Sequence, residues 1–160
     1  MYSDDNSYYL SHLYNGEHNY HGSLFVDYRN RGDFTDTNTV IYGHHMRDRS
    51  MFGSLEEYRS QEFYDTFPTM TLYTPEGDYL IEFISGTIED GNYEFIEFEF
   101  ENDEAYMAYL ADLRERSLFQ SDVEVGPWDK IITLCTCSNN YMNARFMLVG
   151  KMVELYSTAE

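Results

Sequence analysis

Basic residues are scarce in this chain: ten Lys and Arg stand against twenty-nine Asp and Glu, a formal net charge of −19 over 160 residues. Spread evenly, that charge repels phosphate backbones and anionic membrane surfaces, so nucleic acid is excluded as an expected partner and a solvated surface is the ordinary meaning. Cysteine is scarcer still. Cys135 and Cys137 are too few for the disulfide framework of a small secreted module, and their spacing makes neither a C-x-x-C redox pair nor a zinc ribbon. No run of about 20 apolar residues occurs, nor a basic-then-apolar leader. The polar opening "MYSDDNS" suits the soluble part of a longer, anchored protein. Repeats, low-complexity tracts and linkers are also missing, so residues 1–160 are expected to form one domain.

What the chain has in quantity is aromatic side chains, sixteen Tyr and eleven Phe, which favour strands and large-area packing. A mostly-β fold follows. Seven short apolar or alternating runs read as strands: "GSLFVDY", "NTVIYGHH", "TMTLYT", "DYLIEFISGTI", "NYEFIEFEF", "KIITLCT" and "ARFMLVGKMVEL". "TPEGD" and "EDGN" supply tight reversals, which points to a largely antiparallel sheet. From Asn102, "NDEAYMAYLADLRERSLF" opens with an N-cap and acids in the first turn, then sets Tyr106, Leu110, Leu113 and Ser117 on one helical stripe. From Met51 a second helical stretch runs to Pro68, and Ser60 is placed to split it into two short turns.

Chemistry concentrates at strand ends. Cys137 closes an apolar run just before Ser138, Asn139 and Asn140, where a thiol can be exposed and activated. A buried core cysteine is the plainer alternative, and it fits Cys135, one step inside the strand, better. Alternation puts Cys135 and Cys137 on one face, where a disulfide between them would be strained. A cysteine nucleophile needs an imidazole for proton transfer. His12, His18 and His21 lie in a polar, turn-rich stretch, whereas His44 and His45 end a strand and point to opposite faces, so at most one serves a common site. Arg145, eight positions beyond Cys137, opens the last strand. It can donate to a developing oxyanion, or it can simply pair with a surface carboxylate. The C-x-C and H-H spacings do not suit zinc, and no calcium loop is present, so neither a metal nor a cofactor is expected.

These strand ends resemble those of a known family. "TLCTC" is similar to the T-L-x-T-C signature of sortases, "NTVIYGHHM" to their histidine strand and "NARF" to their arginine strand. "DNSYYLSHLYNG", "GSLFVDYRN", "MFGSLEEYRSQEFYDTFPTMTLYTP" and "SLFQSDVEVGPWDKIITLCTCS" extend the resemblance to class B sortases over nearly the whole chain. The resemblance implies an eight-stranded β-barrel with a few short helices and one longer helix before the cysteine strand. It implies a cysteine transpeptidase on the outer face of a Gram-positive membrane, with Cys137 as nucleophile, His44 as acid and base, and Arg145 as oxyanion partner. Thr136, Cys135, Ser138, Asn6 and Leu10 are the implied substrate contacts, and a thiol at Cys135 is unusual enough to suggest redox sensitivity. The expected partners are a C-terminal sorting-motif peptide and an amine of peptidoglycan or of a pilin lysine, acted on by a monomer. A thiol hydrolase and a silent peptide-binding barrel are the rival readings.

Overall fold

A computed structural model describes residues 1–92, 94–137 and 143–156, with the side chains of Cys137 and Tyr156 outside the description. Its strands are β1 (Phe25–Val26), β2 (Asn38–His44), β3 (Thr69–Thr74), β4 (Gly77–Asp90), β5 (Ile131–Cys137) and β6 (Ala144–Tyr156). They lie in one sheet in the order β1-β2-β5-β6-β4-β3. Every neighbouring pair is antiparallel except β2 and β5, which run side by side in the same direction. Parallel strands cannot be joined by a tight turn, so residues 45–130 form one long crossover that carries β3, β4 and the main helix.

Both faces of the sheet are covered, which is why "IITLC" and "FMLVG" read as nearly unbroken apolar runs. One face sets Ile41, Ile132, Leu134, Phe146 and Leu148 against Leu55, Tyr58, Tyr64 and Phe119. On the other, Val40, Tyr42, Ile131, Cys135, Met147 and Val149 meet Tyr106, Leu110 and Leu113 of a helix at Asp103–Glu115. That helix starts where expected, because the Asn102 side chain accepts from the Ala105 N–H at 2.8 Å and satisfies one orphan donor. The stretch after Met51 divides at Ser60 into a 3₁₀ segment, Gly53–Arg59, and a short α-helix, Gln61–Thr66, whose N-cap is Ser60 itself.

Two expectations change. Six strands, not eight, are present among the described residues, and β1 is only two residues long. The run "NYEFIEFEF" carries no strand ladder over residues 94–100. It crosses the second face as an extended strap: Ile96 is buried there, Phe95, Phe98 and Phe100 pack partly buried beside it, and Asn38 Nδ2 donates to the Glu97 carbonyl at 2.9 Å. A strap that buries aromatic side chains shows the same alternation as a strand, so periodicity alone does not separate them.

Candidate functional site

The register of β2, β5 and β6 fixes which residues meet at one end of the sheet. Tyr42 is the lateral neighbour of Cys135, and Cys135 of Met147. All three are buried, Cys135 at 0% exposure, so this row is a closed apolar floor. Two residues further along, His44 pairs in register with Cys137. Continued by the same two residues, the β5–β6 register brings Arg145 to the other side of Cys137, although the ladder itself stops at Cys135 and Met147. There the Thr136 side chain intervenes, its Oγ1 accepting from the Phe146 N–H at 2.8 Å.

His44 is half-buried, and its Nε2 donates to the main-chain oxygen of Leu10. A carbonyl can only accept, so Nε2 carries the hydrogen and Nδ1 of the neutral ring keeps its lone pair for proton exchange. His45, on the opposite face, lies 3.4 Å from Glu56, so the two adjacent imidazoles are separated as alternation requires.

Arg145 is half-buried and makes no ion pair among the described residues. Its cross-strand neighbour is Glu89, but that carboxylate is already taken by Arg116 at 2.5 Å and by the Thr87 hydroxyl at 2.8 Å. Among the described residues, no surface carboxylate holds this side chain. Its Nε is buried without a hydrogen-bond partner among the described residues. It packs over Gly91, where an added Cβ would stand 2.5 Å from Nε and 2.8 Å from the Asn143 oxygen. Asn143, at φ 47°, supplies the left-handed step that turns the chain into β6, and its carbonyl accepts from the Gly91 N–H at 2.8 Å. Gly91→Ala should consequently push the guanidinium out of place. The Asn143 carbonyl is backbone and must give way as well, so we expect the melting temperature to fall together with peptide turnover, the latter by about tenfold or more, measured by thermal unfolding and peptide cleavage.

The other expected contacts are distributed unevenly. Cys135 and Thr136 lie beneath the candidate site rather than at its surface. Ser138 lies outside the described residues. Leu10 reaches the site through its carbonyl, while its side chain packs partly buried against the core. Both ends of the Asn6 amide are engaged internally: Nδ2 donates to Asp27 at 2.9 Å, and Oδ1 accepts from the Tyr28 N–H at 3.0 Å.

Asp27 is the residue that sequence reasoning passed over. Fully buried, it also accepts from Tyr42 at 2.9 Å and from Arg29 Nε and Nη2, each at 3.0 Å. Burial, the largest single influence, pushes its pKa up, but the hydrogen bonds from Arg29, Tyr42 and Asn6 together outweigh it and hold the carboxyl below its ordinary value. Burial and the neighbouring Asp27 charge in turn raise the Tyr42 hydroxyl, which stays protonated and donating. Arg29 also pairs with Glu94 and lies 4.1 Å above the Phe98 ring, so this hub ties the N-terminal segment, β1, β2 and the strap together. The signal was a carboxylate set within the apolar run "LFVDY".

No family model matches the chain. Sortase B of Listeria monocytogenes is 37% identical over 155 residues, covering 96% of this chain and 63% of that protein. Sortase B of Staphylococcus aureus is 34% identical over 149 residues, covering 92% of this chain and 61% of that protein. The chain thus spans about three-fifths of the length of these curated relatives. The crystal structure of S. aureus sortase B matches the fold with a TM-score of 0.91 at 32% identity, covering 98% of this chain and 75% of the solved one. A Bacillus anthracis protein similar to sortase B gives 0.89 at 35% identity, with coverages of 98% and 71%. Identity above 30% across nearly the whole of this chain, in the same fold, leaves one conclusion: the chain belongs to the sortase B family.

Proposed function

We propose that this chain is a cysteine transpeptidase acting on C-terminal sorting motifs at the outer face of the cell membrane. The observation that carries the reading is the convergence of His44, Cys137 and an arginine without an ion pair among the described residues at one end of three neighbouring strands. Solved complexes of S. aureus sortase B with a substrate, with triglycine and with MTSET, each at 32% identity to this chain, support a peptide donor, an amine acceptor and a reactive thiol.

In this mechanism the Cys137 thiolate attacks the threonyl carbonyl of the sorting peptide and a carbon–sulfur bond forms. The carbonyl oxygen gathers negative charge, and the Arg145 guanidinium is the group assigned to donate to it. The carbon–nitrogen bond then breaks, and imidazolium at His44 gives its proton to the departing amine. The second half reverses these roles: an incoming amine attacks the thioester, His44 takes its proton and the thiolate leaves. Bond energy is kept in the thioester, so a new amide forms without a cofactor.

The test uses a small library of sorting peptides, each with and without candidate amines, followed by mass spectrometry. Transpeptidation appears as an amide adduct that grows with amine concentration. Hydrolysis alone at all amine concentrations would make the chain a thiol hydrolase, and no cleavage of any peptide would favour the silent binding barrel.

A further inference from the structure

The hydrogen bond from His44 to the Leu10 carbonyl depends on how that carbonyl is held. Leu10 ends a single 3₁₀ turn, Tyr8–Leu10, in an otherwise irregular N-terminal segment. The chain then loops out and returns through a turn in which Asn19 O accepts from the Gly22 N–H at 3.0 Å. The next residue grips the carbonyl beside that of Leu10: Ser23 N donates to Tyr9 O at 2.9 Å. Gly22 is buried at φ +60°, and its Cα lies directly against both carbonyls; an added Cβ would stand 2.7 Å from the Leu10 oxygen and 2.8 Å from its carbon. Those separations are shorter than van der Waals contact, so the carbonyl must retreat from any side chain at this position.

We propose that Gly22 is a positioning residue for His44. Its bare Cα sets the Leu10 oxygen within reach of Nε2, which fixes the imidazole in the Nε2–H tautomer and leaves Nδ1 as the nitrogen that exchanges the proton. The catalytic consequence rests on the transpeptidase reading above; the tautomer does not. A side chain at position 22 loosens the hydrogen bond, frees the ring to exchange tautomers and lowers the fraction of molecules with the base correctly oriented.

The experiment compares Gly22→Ala with Gly16→Ala. Gly16 also has positive φ, at +84°, so both substitutions carry a similar backbone penalty. At Gly16, however, an added Cβ meets only the Tyr8 hydroxyl, at 3.5 Å, an ordinary contact. ¹⁵N spectroscopy of His44 without substrate should show the Nε2–H form in the wild type and in Gly16→Ala, and a mixture in Gly22→Ala. Thioacyl formation should fall roughly tenfold to a hundredfold in Gly22→Ala, through kcat rather than KM, and stay near wild type in Gly16→Ala. Should Gly22→Ala not fold, Asn19→Ala removes the 2.9 Å bond from the His21 N–H to Asn19 Oδ1 and loosens the same turn without adding an atom. It should move the tautomer the same way by less. Neutral wild-type His44 protonated on Nδ1, or wild-type tautomers in the folded variants, overturns the proposal. Correct tautomers in a protein that forms no thioacyl adduct would overturn the transpeptidase reading instead.

Discussion

Cys137→Ala should lower cleavage of a sorting peptide by about three orders of magnitude or more, because both half-reactions of the proposed mechanism pass through a thioester on that sulfur. The fold should survive. The position of residue 137 follows from the β2–β5 ladder and from Ile132, Leu134 and Cys135, all buried, none of which the substitution touches. The second thiol makes the prediction sharper. Cys135 is inaccessible, at 0% exposure, so a methanethiosulfonate reagent should add once to the wild type, once to Cys135→Ala and not at all to Cys137→Ala. Intact mass spectrometry reads all three. A label on the Cys137→Ala protein would show that Cys135 is reachable after all, whereas cleavage that persists in it would remove Cys137 from the mechanism and leave the convergence with His44 without chemical meaning.

Asp27→Ala should produce the largest loss of stability. Removing the carboxylate leaves the buried Tyr42 hydroxyl and the Asn6 amide without their acceptor and Arg29 without its buried counter-charge. Breaking a buried pair in this way costs up to about 5 kcal/mol. The Arg29 side chain is 35% exposed and keeps Glu94, so solvent screens part of the loss and about 3 kcal/mol is expected. For a chain of this size that lowers the melting temperature by about 6–12 °C.

The pH dependence has a definite sign. The folded carboxyl sits below its ordinary value of 3.8, so its contribution is complete above that value and is lost as pH falls through the lower folded one. Urea midpoints of wild type and variant should therefore differ by a constant amount in neutral solution and converge in strong acid. A gap that is unchanged at low pH would show that charge is not what Asp27 supplies.

The parts of the fold visible in sequence were those whose cause is local. Asn102 and the acids after it announce a helix start, and Ser60 interrupts a helical pattern because its side chain caps the next turn, accepting from Phe63 N. Pairing was not visible, since nothing in "NTVIYGH" or "IITLCTC" says that they lie side by side and parallel. The strap at residues 94–100 misled for the reason given above: buried alternation is shared by strands and straps. At the candidate site, the cysteine, histidine and arginine came from strand-end motifs and their likeness to a family, not from periodicity. The glycines that shape it carried no comparable mark. Gly22 and Gly91 look like turn residues in sequence, and only the spatial closeness of the Leu10 oxygen and of Arg145 Nε shows what their missing side chains permit.

The same-direction pairing of β2 and β5 also has a kinetic meaning. Asn38 meets Ile131 and His44 meets Cys137, so the imidazole finds its neighbouring sulfur-bearing residue only after the long intervening excursion has been threaded into place. Loop closure of that length is among the slow steps of folding. During synthesis, the histidine strand leaves the ribosome well before its companion exists. The proposed reactivity would thus be among the last properties this polypeptide acquires, and a chain cut short before β5 carries the imidazole with no thiol to serve.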